Sequence, residues 1–272
     1  MRLAVSDLAR SIAFYARVLG MALISRDEQS ATLGPAAQHP ALALTALADP
    51  TAPSPHDTGL FHVAWLHPSR AALAATVRRI LGAGWHIDGA SDHGVSEALY
   101  LSDPDGLGIE IYADRPRELW EGQVMQRMTT APIDVEDLLG ELEDPGSEPF
   151  DGLPDGTSVG HVHLRVADVQ STVDFYRDVL GMGLMAQLGP MAAFLSAGGY
   201  HHHIAGNTWE SRGASPAGPG FATLRHATIV APDAAERDRL AARVADSGQE
   251  PEARGDRVLV RDPAQNPLLL TA

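Results

Sequence analysis

Three side chains that could take part in acid–base or metal chemistry lie within the segment Ser91–Glu110: His93, Tyr100 and Glu110. The alternation of residue types predicts one strand over 98–102 and a second over 108–112, and the Asp-Pro-Asp-Gly sequence between them favours a turn. Glu110 stands between two isoleucines, so its strand has one apolar face and one face that carries a carboxylate. A carboxylate on a largely apolar strand needs a partner, often a metal ion or another cation.

The composition limits the classes of protein to consider. The chain has 272 residues, 44% of them hydrophobic, which is enough for one large or two medium domains. It has no apolar run near the length of about 18 residues that a membrane helix needs, and no signal-peptide core, so we expect a cytoplasmic protein. Its net charge of −15 argues against nucleic acid and anionic membranes as partners. Because cysteine is absent, any metal site must use His, Asp or Glu.

An internal repeat organises the chain. Leu3–Leu23 and Leu164–Leu184 are identical at ten of 21 positions. Each copy reads as a strand, an aspartate that can cap a helix (Asp7 or Asp168), an amphipathic helix, and a glycine that ends it. The second part of each half repeats more faintly, since His62 and His226 each open a predicted strand that precedes a helix and an Asp-Pro pair.

These repeats predict an α+β fold of four βαβββ-like modules. The modules cover about residues 1–47, 59–113, 159–206 and 222–272.

The module boundaries suggest a division into domains. We expect a first domain over 1–115, an acidic linker over 116–158 and a second domain over 159–272. Residues 134–155 include nine acidic residues and no Lys or Arg, which indicates a solvated connection with one helical turn near 134–142.

Four short βαβββ modules, a histidine that opens a strand and a glutamate after an Asp-Pro-x-Gly turn resemble the vicinal oxygen chelate superfamily. The resemblance covers nearly the whole chain and implies two glyoxalase-like domains with cup-shaped mixed sheets. The segment around His93, Tyr100 and Glu110 is similar to the signature of type I extradiol ring-cleaving dioxygenases, and only Ser91 departs from it. The layout most resembles the two-domain, catechol 2,3-dioxygenase-like members.

The resemblance implies a set of metal ligands drawn from two modules. His62 and Glu110 come from module two, and His161 comes from module three, where the family's ligand lies seven residues before the capping Asp168. Two imidazoles and one carboxylate form the facial triad of non-haem Fe(II) oxygenases, which leaves positions open for a catechol and O2. Fe(II) is therefore the expected cofactor, and Mn(II) is the alternative because the same ligands bind it.

The remaining histidines and modules offer weaker candidates for metal ligands. His163 competes with His161 because alternation places both on one face of a strand. In module one the matching position falls before Met1, and a start inside a longer gene product is one explanation. Module four keeps His226 as a rival ligand, but Leu269 stands where module two has Glu110.

The resemblance also implies catalytic residues. His202, in a His-x-x-Ala context, is the expected acid–base residue, and its neighbours His201 and His203 are the alternatives. Tyr100 would hydrogen-bond the substrate oxygen, and His93 would orient Tyr100 or the substrate.

The resemblance implies an extradiol dioxygenase that inserts both atoms of O2 into a small aromatic diol. This reading requires modules two and three to face each other, within one chain or between subunits of a homo-oligomer. A non-catalytic binding protein of the same superfamily is the second hypothesis, and a glyoxalase-like isomerase or lyase is the third.

Overall fold

A computed structural model describes residues 1–51, 56–142 and 151–272. Its strands are β1 (Arg2–Val5), β2 (Ala22–Arg26), β3 (Ser30–Gly34), β4 (Leu42–Ala46), β5 (Gly59–His67), β6 (Gly89–Asp92), β7 (Ser96–Ser102), β8 (Gly108–Asp114), β9 (Ser158–Arg165), β10 (Gly183–Leu188), β11 (Ala192–Ser196), β12 (Ile204–Asn207), β13 (Thr223–Val230), β14 (Glu252–Arg254), β15 (Arg257–Arg261) and β16 (Pro267–Thr271). Its helices are α1 (Leu8–Arg17), α2 (Arg70–Gly82), α3 (Val124–Arg127), α4 (Val135–Gly140), α5 (Val169–Asp174) and α6 (Ala234–Asp246), with a 3₁₀ turn at Arg117–Leu119 and a π-helical turn at Phe175–Val179.

The four predicted βαβββ modules are present, and the aspartates of the repeat begin their helices. The Asp7 side chain accepts a hydrogen bond from the backbone N–H of Arg10 at 3.0 Å, and Asp168 accepts one from Ser171 at 2.7 Å. Each cap satisfies an N–H that the first helical turn cannot pair internally. The repeated sequence therefore begins a helix in the same way in modules one and three.

The two sheets do not follow the two halves of the chain. Modules one and four share an eight-stranded sheet in the order β14-β15-β16-β13-β1-β4-β3-β2. Modules two and three share the other, in the order β10-β11-β12-β9-β5-β8-β7-β6. The two modules that carry the predicted site residues thus meet within one chain, through the antiparallel pair β5 and β9. Because each sheet takes strands from both halves, the division into domains 1–115 and 159–272 stays a prediction.

A buried tyrosine–aspartate pair occurs once in each half of the chain. The Tyr15 hydroxyl, on α1, donates to Asp103 Oδ2 at 3.1 Å, and the Tyr176 hydroxyl donates to Asp262 Oδ2 at 3.2 Å. Burial raises the pKa of both aspartates to about 6. Each pair joins consecutive modules that lie in different sheets, so it fixes one sheet against the other.

The predicted hairpin around the Asp-Pro turn is present. Asp103 Oδ1 accepts hydrogen bonds from the backbone N–H groups of Asp105 and Leu107, and Gly106 takes a φ of +80°, which favours glycine. The turn therefore sets β7 beside β8 with Tyr100 opposite Glu110.

The range predicted as a linker contains residues that pack against module two. Helix α4 falls inside the predicted helical turn, and Leu138 on it is buried. Arg70 at the start of α2 bonds Glu97 on β7 as well as Asp137 and Glu141 of this segment, each at 2.7 Å. Residues 143–150, part of the predicted acidic connection, lie outside the described residues. Within the described ranges, no helix has the length and apolar character that crossing a membrane requires.

Candidate metal centre and active site

Three adjacent strands in the middle of the second sheet bring the predicted ligands together. Strand β5 runs between β8 and β9 and carries His62 and Ala64 on one face. Glu110 on β8 and His161 on β9 are both register partners of Ala64, one on each side. Because Ala64 is small and fully buried, the glutamate and the histidine can meet above it. The arrangement follows from strand register, with no loop involved.

The donor atoms converge on one small volume. His62 Nε2 lies 2.9 Å and His161 Nε2 lies 3.3 Å from the same oxygen, Glu110 Oε2. All three donor atoms lie within 4.8 Å of one another, and this is the one such group of three among the described ranges of the chain. Ligands at right angles around an ion, with bonds of about 2.1 Å, are about 3 Å apart. The spacing fits a first-row divalent metal.

The hydrogen bonding of His62 also suits a metal ligand. Its Nε2 atom is buried, and it forms no aligned hydrogen bond with Glu110 or with any other described residue, although the carboxylate oxygen is close. Unpaired polar atoms in a protein interior are rare and costly. A metal ion bonded to this nitrogen would satisfy it.

The protonation states suit metal binding as well. Burial lowers the pKa of His161 to about 4, which keeps its ring neutral at pH 7. Burial opposes ionisation of Glu110, but the neighbouring His161 and His62 outweigh it and hold the pKa of Glu110 well below its usual range. Two imidazoles and one ionised carboxylate are the donor set that the sequence predicted, and transition metals such as iron bind to neutral imidazole and carboxylate groups.

The rival ligands occupy other positions. His163 is the register partner of His62, but its Nε2 accepts a hydrogen bond from the Asn207 amide at 3.0 Å, so the structure does not bring it into the cluster. His226 lies in the other sheet, where it pairs with Arg2. In that sheet Leu269 is the register partner of Leu259, the same relation that Glu110 has to Tyr100.

His202 lies beside the cluster and lines the cavity above it. Its ring is 4.0 Å from that of His161, centroid to centroid, and burial lowers its pKa well below the usual value. The two neighbouring histidines point elsewhere. His203 Nδ1 accepts from the Ala197 backbone at 3.2 Å, and His201 Nε2 lies 2.9 Å from Asp114 Oδ1.

A hydrogen-bonded chain behind His202 determines which nitrogen of that ring carries a proton. Asp114 is an acceptor, so His201 Nε2 must donate to it, and the Nδ1 of a neutral His201 ring is then an acceptor. His202 Nδ1 lies 2.8 Å from that atom and therefore donates to it. With both imidazole rings neutral, these partners assign the proton of His202 to Nδ1 and leave its Nε2 free to accept one.

Two tyrosines complete this buried network. The Tyr200 hydroxyl donates to Asp114 Oδ1 at 3.0 Å, and the Tyr112 hydroxyl lies 2.8 Å from that of Tyr200. Gly160 leaves room for the Tyr112 hydroxyl, because a Cβ atom at position 160 would overlap that oxygen. Asp114 and Tyr112 were not among the predicted site residues, although both lie on the Glu110 face of β8 by simple alternation.

Tyr100 and His93 form a second oriented pair at the opposite side of the cavity. His93 Nδ1 lies 2.8 Å from the Thr129 carbonyl and must donate to it, so the Nε2 of a neutral ring accepts the Tyr100 hydroxyl at 2.6 Å. Burial and the charge of Glu110 raise the pKa of Tyr100 well above its usual value. The hydroxyl is therefore held protonated next to the cluster.

Two members of the cluster, His62 and Glu110, line a cavity of about 450 Å³ between the strands of modules two and three, and the rival His163 lines it as well. Part of its wall comes from the segment that follows module two, through Met125, Met128, Thr129 and Thr130. The sequence pattern predicts only a linker over this stretch. It carries no sign of the contact, because the contact depends on how α3 packs against β10.

The paired βαβββ modules form a cup around buried His and Glu side chains that can bind a metal ion. This arrangement defines a class of protein, and comparisons with known proteins agree with that class. Residues 1–111 and 158–268 match the Glyoxalase/Bleomycin resistance protein/Dioxygenase superfamily. The chain belongs to this superfamily.

Two curated relatives are similar to the chain in sequence. A catechol-2,3-dioxygenase of Bacillus subtilis strain 168 is 41% identical over 270 residues, which cover 96% of this chain and 92% of that protein. A metapyrocatechase of Geobacillus stearothermophilus is 28% identical over 208 residues, 73% of this chain and 56% of that protein.

Solved structures agree on the fold. Glyoxalase I from Zea mays superposes with a TM-score of 0.58 at 19% identity, over 99% of this chain and 89% of that one. A Bacillus subtilis strain 168 protein, provisionally described as a dioxygenase, gives a TM-score of 0.66 at 17% identity, over 99% of this chain and 83% of that one.

Proposed function

We propose that this protein is an extradiol ring-cleaving dioxygenase that acts on a catechol with O2. The observation that carries the proposal is the convergence of His62, Glu110 and His161 beside a cavity that His62 and Glu110 line together with His202 and Tyr100. The activity for which the 41% identical Bacillus subtilis relative is named supports the same reaction.

We propose Fe(II) as the metal, held by His62 Nε2, His161 Nε2 and Glu110. Mn(II) is the alternative, since the same three donors suit it. When bound, the metal would bring an electron-rich diol and O2 together and allow charge to pass between them.

His202 is proposed as the acid–base residue. Its Nε2 is the nitrogen left without a proton by the chain from Asp114, so it can accept one from a hydroxyl group of the substrate. Burial lowers its pKa, so the ring is a weak base that later returns the proton readily. Phe194 packs edge-on against the ring, with the two centroids 5.1 Å apart, and makes this side of the ring's surroundings apolar.

Tyr100 is proposed to hold a substrate oxygen. Since its hydroxyl proton is engaged by His93, its oxygen presents lone pairs to the cavity and can accept a hydrogen bond from a substrate hydroxyl. If the ring of His93 rotates, Tyr100 can instead donate its proton. His93 thus acts on the substrate through Tyr100.

The test is ring cleavage by the metal-loaded protein. Protein loaded with Fe(II) without air is mixed with catechol and O2, and the yellow ring-fission product and O2 uptake are followed together. We expect one O2 consumed per catechol, an activity abolished by His62→Ala, and full activity in the His226→Ala control. Iron-loaded protein that binds catechol but consumes no O2 would contradict the proposal and favour a non-catalytic binding protein.

A further inference from the structure

The mouth of the cavity is apolar and open to solvent. Met125, Leu188 and Trp209 line it, and their exposed fractions are 51%, 46% and 50%. Large apolar side chains that are half exposed around one opening commonly mark a surface that a ligand covers. Below them, Phe61 and Phe194 continue the apolar wall toward the metal cluster.

No cationic side chain lines this cavity in the described part of the chain. The sequence contains no lysine, so all 20 basic residues are arginines, and none falls within 52–55 or 143–150. Among the arginines next to lining residues, Arg115 bonds Asp92 at 2.6 Å and Arg165 lies 3.3 Å from a carboxylate oxygen of Glu210. Arg127, which precedes the lining residue Met128, is exposed and does not itself line the cavity. A carboxylate on a ligand would therefore lose water without gaining a cationic partner.

The cavity is also larger than one aromatic ring requires. Its volume of about 450 Å³ falls within the range of about 300–1,000 Å³ that holds drug-sized ligands. A diol bound next to Glu110 leaves the space between the two phenylalanines and the mouth for a substituent on the ring.

We propose that the preferred substrate is a catechol with an uncharged, apolar substituent that reaches Leu188 at the mouth, and that carboxylated catechols are disfavoured. The proposal rests on the proposed function for the position of the diol. It makes Leu188 a specificity-determining residue of that site.

A pair of ligands of nearly the same size tests this directly. 4-Isobutylcatechol and 3,4-dihydroxyphenylacetate have the same number and connectivity of heavy atoms, with an isopropyl group in the first where the second has a carboxylate group. Their Kd values, and that of catechol, are measured by anaerobic calorimetry on the Fe(II)-loaded and the metal-free protein. Each buried methylene contributes about fourfold in affinity, so we expect 4-isobutylcatechol to bind at least about tenfold tighter than either of the other two.

Two arginine variants on one strand locate the effect. Leu188→Arg places a cation at the mouth and is expected to reduce the preference for 4-isobutylcatechol over the carboxylate about tenfold or more. Leu184→Arg is the matched control, because Leu184 is a 37% exposed leucine of β10 that does not line the cavity. It should leave the preference unchanged.

Equal affinity of the unaltered protein for the two ligands, or tighter binding of the carboxylate, overturns the proposal. An equal effect of the two arginine variants overturns the assignment to Leu188. Measurements of turnover separate the proposed substrate preference from the proposed function. Cleavage of catechol without the binding preference rejects only the proposed substrate class. The binding preference without cleavage supports that substrate class and rejects the dioxygenase activity.

Discussion

Replacing Glu110 with Gln should remove most of the stabilisation by Fe(II) with little change in the shape of the side chain. Glu110 is 3% exposed, and one of its oxygens lies 2.9 Å from His62 and 3.3 Å from His161. The amide keeps the volume of the side chain but removes the only negative charge in the cluster. Neutral ligands alone hold a divalent ion far less tightly.

The size of the effect follows from linkage. Free Fe(II) at 100 times its Kd stabilises the folded state by about 2.7 kcal/mol. In a protein of this length, about 1 kcal/mol changes Tm by about 2–4 °C, so the unaltered protein should gain about 5–10 °C. If Glu110→Gln weakens binding about 100-fold, the same Fe(II) concentration adds only about 0.4 kcal/mol, or about 1 °C.

The assay is thermal unfolding without air, with and without Fe(II). Glu97→Gln is the matched control, because Glu97 is a buried glutamate on the adjacent strand β7 that bonds Arg70 at 2.7 Å, outside the cluster. It should lower the free energy of unfolding by about 1–3 kcal/mol and keep the full Fe(II)-dependent gain. A gain in Glu110→Gln equal to that of the unaltered protein would refute the proposed metal site.

Four further substitutions test other parts of the structure. Asp114→Ala removes the acceptor that assigns the proton of His202 to Nδ1, so kcat should fall at least about tenfold with little change in KM; an unchanged kcat in steady-state assays counts against the assignment. His67 is buried with a pKa lowered to about 4, so the unfolded chain binds its proton below pH 6.5 and stability is lost as the pH falls toward 4. In urea unfolding of metal-free protein, His67→Gln should reduce the loss between pH 7 and pH 5 by about 2 kcal/mol, and an identical loss would exclude this contribution. Tyr15→Phe and Tyr176→Phe should each cost about 1–2 kcal/mol in the same assay, because each removes the equivalent hydrogen bond to a buried aspartate; a cost below about 0.3 kcal/mol in both would contradict that role.

Local sequence signals predicted the modules and most of the cluster. Asp7 and Asp168 mark helix starts because capping is decided within four residues. Glu110 could be placed on the interior face of β8 because alternation and the Asp-Pro turn are local as well. The fold class and the candidate residues of module two could therefore be predicted from the sequence alone.

The choice between His161 and His163 depends on pairing between modules. Both side chains lie on one face of β9, and the register with β5 decides which of them meets Glu110. That register shifts between Leu60 and His62 and again between Ala64 and Trp65. Such irregularities depend on packing between distant segments, so the alternating pattern of a strand cannot predict them.

Comparison of the two sheets explains why the cluster lies in the sheet of modules two and three. A buried carboxylate is tolerated when cationic or metal partners satisfy it, and it costs several kcal/mol when they are absent. In the sheet of modules one and four, Leu269 and Leu259 occupy the register positions of Glu110 and Tyr100, and both are buried. His226 there is half-buried and has a cationic residue, Arg2, as its register partner. Leucine at these positions buries apolar surface where the other sheet buries a charge. The sheet of modules one and four therefore needs no metal to be stable. Only the sheet of modules two and three contains the buried Glu110, and His62 and His161 lie next to its carboxylate. Removal of either histidine should therefore lower the free energy of unfolding and also weaken the binding of metal.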